Sequence, residues 1–108
     1  MLSIYPACFY KDDSGYSVIF PDIKHLHAEG SSFEDAMKEA VNALASHLYS
    51  CNRDETPLPT PSKLESVNAL NVLKEVAPNK EIKDTFVNMV SVDVEAYAKE
   101  HFMKSVRS

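Results

Sequence analysis

The sequence predicts an α+β domain: an antiparallel sheet of three to four strands with one main helix packed on it. Three observations carry that prediction. Two strand-like runs flank the turn Lys11-Asp12-Asp13-Ser14-Gly15. A third short strand and a capped amphipathic helix follow by residue 51. A late run, Phe86 to Val94, is rich in β-formers and its only turn residue is Asn88, so it reads as a strand returning to the sheet.

Each element has a local cause. In the first run Leu2, Ile4, Pro6, Cys8 and Tyr10 fall on one face, and Ser3, Tyr5, Ala7 and Phe9 on the other. Both faces are largely apolar, which predicts cover on both sides. Pro6 donates no ladder hydrogen bond, which favours an edge position or a bulge. Gly15 offers the positive φ of a tight hairpin, and Tyr16 to Phe20 is β-branched and aromatic. Pro21 stops that strand and Asp22 suits the turn after it. Leu26 and Ala28 then alternate with His25, His27 and Glu29, the pattern of a strand with one wet face.

Gly30-Ser31-Ser32 opens the main helix. Ser32 is the expected N-cap, with Asp35 completing a variant capping box, and Glu34 and Asp35 suit the positive end of the dipole. Phe33, Ala36, Met37, Ala40, Val41, Leu44, Leu48 and Cys51 form one apolar stripe, expected to lie on the sheet. Residues 52–62 carry Pro57, Pro59 and Pro61 at alternate positions and predict an extended crossing. Ser62 and Glu65 read as the cap of a second helix over 63–77, with Leu64, Val67, Leu70, Leu73 and Val76 as its stripe. That helix has two possible places: the open sheet face or a subunit interface. The fourth strand and a terminal helix capped by Asp93, Val94 to Met103, occupy 85–103. The helix's stripe is thin, so it must dock on its own sheet or on another subunit.

The 108 residues fit a single domain spanning 1–108. No apolar run nears the ~20 residues of a membrane span, and Met1 to Tyr10 lacks a signal-peptide pattern, so a cytoplasmic protein is expected. Cys8 and Cys51 sit in apolar patterns and read as buried free thiols. Residues 1–56 hold nine acids and four bases, whereas 57–108 hold seven of each. The negative excess in the first half disfavours nucleic acid and suits a basic protein partner.

Catalytic arrangements are not expected. A two-metal nuclease site needs several carboxylates on adjacent strands, and the run Leu2 to Tyr10 has none. His25 and His27, on alternate strand positions, could share a zinc or copper ion, but third and fourth ligands are not evident and no metal site is assigned. Cys51 and His47 are helical neighbours, yet nothing supplies an oxyanion hole and Cys51 continues the apolar stripe. There is no phosphate-binding glycine loop, and Tyr5, Tyr10 and Tyr16 lack the basic surroundings of an RNA-stacking platform. No cofactor is expected.

Several features, taken in order, resemble the HicB-type antitoxin family of type II toxin–antitoxin modules. They are Tyr5-Pro6-Ala7, the arm Gly15-Tyr16-Ser17-Val18, Phe20-Pro21-Asp22, and Gly30 before a hydroxyl-capped helix with Glu34 and Ala36. Leu58-Pro59-Thr60-Pro61-Ser62 and the late strand entering Asp93-Val94-Glu95-Ala96-Tyr97 extend the likeness over most of the chain, most weakly at 63–84. The resemblance implies a partial ribonuclease-H-like fold that binds a small basic HicA-like toxin ribonuclease and occludes its active site. It also implies a homodimer or higher oligomer, for which 86–103 is the candidate interface. Many members continue into a DNA-binding module after a basic stretch like Lys104-Ser105-Val106-Arg107-Ser108, so DNA binding is not expected of this chain. The residues expected to meet the partner are Asp12, Asp13, His25, His27 and Glu29, at the polar margin of the hairpin. Two other readings stay open: a scaffold domain without a toxin partner, and, by fold analogy, an RNA-binding domain.

Overall fold

A computed structural model describes residues 2–102. Four strands, β1 (Leu2–Asp12), β2 (Gly15–Ile19), β3 (His27–Gly30) and β4 (Asp84–Asp93), form one antiparallel sheet in the order β3-β2-β1-β4. The helices are α1 (Phe33–Arg53), α2 (Ala69–Val76) and α3 (Val94–His101). This is the expected α+β class, with the early hairpin in the middle of the sheet rather than at its edge.

The central strand β1 explains the layering. Every residue from Tyr5 to Pro6 and on to Tyr10 is buried, so both faces need cover. Tyr5, Ala7 and Phe9 join Val18, Phe20, Ala28, Val90 and Val92 beneath α1. Cys8 and Tyr10 lie on the opposite face beneath Ala69 and Leu73 of α2. Pro6 is tolerated because the β2 ladder starts only at the Cys8↔Ile19 pair, while β4 pairs with β1 from Leu2 to Lys11. The Asp12↔Gly15 pair closes the two-residue hairpin, so even-numbered groups of β1 face β2. The N–H that Pro6 lacks would therefore point where β2 has already ended.

The main helix forms as its pattern predicts. Ser32 is the N-cap and its side chain accepts from the Asp35 N–H at 3.2 Å. Asp35 does not return the bond to Ser32; its carboxylate accepts from the Ser31 hydroxyl at 2.9 Å. Ala36, Ala40, Leu44, Leu48 and Cys51 are buried, with Ala45 added to the expected stripe, and Phe33, Met37 and Val41 pack at its margin. Phe33 also joins a ring cluster with Phe9, Phe86 and Tyr16, at centroid separations of 5.4, 5.8 and 6.0 Å. Gly30 sets the entry angle: a Cβ there would stand 2.2 Å from the Ala36 nitrogen and 2.7 Å from the Ala36 Cα.

Beyond α1 the chain crosses to the other sheet face. Burial helps to raise the Tyr5 hydroxyl's pKa, and this hydroxyl donates to the Pro59 carbonyl. The Asp22 carboxylate accepts from both the Ser62 N–H, at 2.8 Å, and the Ser62 hydroxyl. Ser62 is therefore engaged and caps no helix. The spacing predicts one helix across 63–77, but the chain makes a single 3-10 turn at Leu64–Ser66 and restarts at Ala69, capped by Asn68. The expected stripe is rotated: Ala69 and Leu73 are buried, whereas Leu64, Leu70 and Val76 are exposed. α2 packs on the open sheet face, the first of the two places expected for it. The Tyr10 hydroxyl, its pKa driven upward chiefly by burial, donates to the Ala69 carbonyl at 2.7 Å and pins the start of α2.

β4 runs straight into α3, with Asp93 accepting from the Ala96 N–H at 3.1 Å. α3 docks on α1, where the Tyr97 hydroxyl donates to Asn42 and the Phe102 ring meets Tyr49 at 5.4 Å. Residues 103–108, including Met103 of the expected helix and the basic terminal stretch, lie outside the described residues.

α1 ends in a feature that composition conceals. The Thr56 N–H bonds the Cys51 carbonyl at 2.8 Å and the Glu55 N–H bonds the Asn52 carbonyl at 3.4 Å. That is a Schellman termination with Glu55 at φ 57, a left-handed position usually held by glycine. Two predictions follow from this packing. Glu55→Gly should stabilise the protein by about 1 kcal/mol, the low end of the left-handed penalty, since glycine loses more chain entropy on folding. Urea unfolding checks it; a destabilised variant would mean that the Glu55 side chain contributes more than its backbone costs. Gly30→Ala should destabilise by about 3 kcal/mol, because the new methyl meets helix backbone rather than a movable side chain. A loss well under 1 kcal/mol would show that α1 can retreat freely.

Candidate functional site

The five residues expected to meet a partner run along the β3 side of the sheet to the β1–β2 turn, and the structure strings them along adjoining concavities. The first is a cleft of about 620 Å³ between the Phe20–His27 segment and α2; His25 and His27 line it together with Val72, Glu75 and Val76. The next shares His27 and adds Glu29, Leu73 and Lys80. A third holds Glu29 and Lys80 beside Asp12, Ser14 and Gly15, and a fourth runs from Asp12 and Asp13 to Glu81 and Lys83. His25, His27, Glu29, Asp12 and Asp13 thus mark a strip whose far wall is built by α2 and the segment after it.

The members differ in what they are free to do. One Asp12 carboxylate oxygen accepts from the Ser14 N–H at 2.8 Å, the Ser14 hydroxyl at 2.8 Å and the Gly15 N–H at 3.1 Å. The other lies 3.4 Å from the Lys80 Nζ. The Ser14 bonds, first through the side chain and then the backbone, hold the Asp12 pKa below the usual carboxylate value. Asp12 therefore organises the hairpin turn and stays charged into acid. Asp13 is 88% exposed and pairs with Lys83 at 2.5 Å. An exposed pair held by a single contact is the kind that a partner can exchange cheaply.

The histidines do not occupy the strand face expected of them. β3 begins at His27, and His25 sits before it in a left-handed conformation, φ 67. His27 Nδ1 lies 3.2 Å from the His25 carbonyl. The two imidazoles therefore do not alternate on one strand. Among the described residues no three His, Cys, Asp or Glu side chains come together as a metal cluster. Glu29 is exposed on β3 opposite Ser17, whose hydroxyl accepts from Lys80 at 3.0 Å.

Sequence reasoning missed the α2 side of the strip. Val72, Glu75 and Val76 belong to the stretch in which one long helix was expected, and Lys80 follows it. Val76 counted as core there but is 61% exposed at the cleft mouth. The signal in the sequence was indirect: Asn68 is a good N-cap, and a restart there turns Val76 outward. Cys8 and Cys51 are free and buried on opposite sides of the sheet, and burial raises the Cys8 thiol. Neither opens onto the strip. Among the described residues no helix is long and apolar enough to cross a membrane.

Comparison with known proteins agrees with the fold. Residues 5–104 match the family described as HicB_like antitoxin of bacterial toxin-antitoxin system. Antitoxin HicB 2 of Photorhabdus laumondii subsp. laumondii is 36% identical over 58 residues, covering 54% of this chain and 42% of that protein. The chain spans 42% to 62% of the length of the curated relatives it matches. A chain of a toxin–antitoxin complex from Streptococcus pneumoniae superposes with a TM-score of 0.81 at 29% identity, over 90% of this chain and 73% of that one. A chain of a HicA3 and HicB3 toxin-antitoxin complex gives 0.63 at 28% identity, over 84% and 99%. With nearly the whole chain matched, it belongs to the HicB-like antitoxin family.

Proposed function

We propose that this chain neutralises a small basic ribonuclease toxin of the HicA type by binding it and occluding its active site. The observation that supports this most is the likeness of nearly the whole fold to a chain of a toxin–antitoxin complex. The HicA3 and HicB3 complex supports the class of partner. The contact surface is the strip from His25 through His27 and Glu29 to Asp13. Its role is recognition rather than catalysis: the exposed acids Asp13 and Glu29 draw in a basic face, and the cleft beside Val72 and Val76 gives an apolar anchor point. Asp12 acts indirectly, by shaping the turn that presents Asp13.

Charge complementarity of this kind acts mainly on encounter rate and partner choice. Asp12 is a poor place to test it, because reversing its charge would break the turn. The double change Asp13→Lys with Glu29→Lys leaves every bond of Asp12 intact. It should slow association with the toxin about tenfold at low salt, with the difference shrinking as salt is raised. Stopped-flow association at two ionic strengths measures this; equal rates would remove both residues from the interface.

The function itself is tested by co-expression with a toxin encoded beside this gene. We expect growth to be rescued and the two proteins to co-purify. A toxin that stays lethal, with no complex recovered, would defeat the antitoxin reading. A salt-sensitive shift of RNA by this chain alone would favour the RNA-binding reading instead.

A further inference from the structure

We propose that the free edge of β3 takes up a short extended segment of the basic partner as an added strand of the sheet, and that the clefts beside β3 read two alternate side chains of that segment. This rests on the antitoxin reading above and names how the partner is held. β3 stands first in the order β3-β2-β1-β4, so only one of its sides is filled by the sheet.

The register shows which groups face outward. Between β2 and β3 the Phe20 N–H donates to the Leu26 carbonyl at 3.2 Å. The pairing continues through Val18↔Ala28 to Tyr16↔Gly30. Facing residues alternate between bonded and non-bonded pairs, so Leu26, Ala28 and Gly30 turn their backbone groups to β2. His27 and Glu29 turn theirs outward. Among the described residues no backbone bond from another segment reaches this edge. The edge also has fixed ends. His25 stands before it in a left-handed conformation, φ 67, and α1 begins after it at Phe33. Such an opening pairs with a segment of about three residues through the N–H and C=O groups of His27 and Glu29, and is too short to recruit an open-ended stack.

Shape and charge select the occupant. A strand added to an edge draws affinity from main-chain bonds and specificity from pockets at alternate side chains. Ala28 is buried in the α1 core, whereas the exposed His27 and Glu29 project on the α2 side, where both line clefts. Facing residues of neighbouring strands share a sheet face, so the partner residues opposite His27 and Glu29 project to that side too. The one opposite His27 meets the cleft mouth, where Val76 is 61% exposed, and an apolar side chain suits it. The one opposite Glu29 meets a carboxylate that makes no ion pair among the described residues, because neighbouring Lys80 is held by Asp12 and Ser17. Lysine or arginine suits that position. Charge also disfavours a second copy there. The chain carries a net charge of −5, and two copies joined at β3 would bring their strips of Asp12, Asp13 and Glu29 together.

The complex with the toxin encoded beside this gene supplies the test. Glu29→Pro removes an outward N–H without touching a bond to β2, and proline is accepted on an edge strand. Glu29→Gln removes the charge and keeps the N–H. Glu29→Gln should weaken toxin binding about threefold, the worth of one exposed ion pair. Glu29→Pro should weaken it about tenfold beyond that, with an unchanged circular dichroism spectrum. A second measurement needs no variant. In the isotope-labelled chain the His27 and Glu29 amides should exchange freely with solvent when alone and about a hundredfold more slowly in the complex, with cross-strand contacts to the toxin backbone. A folded Glu29→Pro chain that binds as well as Glu29→Gln would overturn strand addition and leave the antitoxin reading standing. So would amides of His27 and Glu29 that stay open in the complex, or that are already protected in the free chain. Failure to form any complex would overturn both.

Discussion

The fold depends on one constraint: β1 is apolar on both faces. A strand covered on a single side would leave either Phe9 and Tyr5 or Cys8 and Tyr10 in water, and each large buried side chain is worth about 1.5–3 kcal/mol. α1 can satisfy only one face. The chain must therefore leave α1, pass round the end of the sheet and lay a second layer on the other face. The Pro-rich crossing and α2 are the consequences. Pro57, Pro59 and Pro61 keep the crossing extended, and the Tyr5 and Asp22 bonds fasten it at two points along its path. Tyr10 then fixes where α2 begins.

The proposed recognition surface is a by-product of that second layer. The hairpin alone offers a turn with two aspartates and a short edge strand. Once α2 is seated over Cys8 and Tyr10, its outer residues Val72 and Val76 face the Phe20–His27 segment across a cleft. Asp22 belongs to both structures: its carboxylate holds Ser62 while its own loop forms the cleft wall. Lys80, arriving after α2, reaches back to Asp12 and Ser17 and ties the hairpin to the second layer. The same contacts that complete the core thereby set the spacing between His25 and Asp13.

Much of this was legible in the residues, for reasons that are local. The α1 stripe repeats over five turns, Ser32 and Asp93 are side-chain caps, and Asp12 to Gly15 can hardly be anything but a tight turn. These signals span a few residues each. The α2 region failed because its outcome is set from far away. Leu64, Val67, Leu70, Leu73 and Val76 do have helical spacing, but Ser62 is claimed by Asp22, 40 residues earlier in the chain, and no longer caps a helix. The helix restarts at Asn68 with a different face inward. His25 is a similar case. Alternation put it on a strand, whereas the turn leaving Phe20 uses it in a left-handed conformation that asparagine or glycine would have advertised. The five candidate residues stood out one by one; their joining into a strip did not, since Lys80 and α2 provide it.

The two edges of the sheet carry opposite consequences. β3 is short, polar and bounded by the cleft, so it joins the recognition strip without inviting open-ended strand pairing. β4 is 10 residues long with no proline or basic residue, and the strip reaches it only at its start, where Lys83 precedes Asp84.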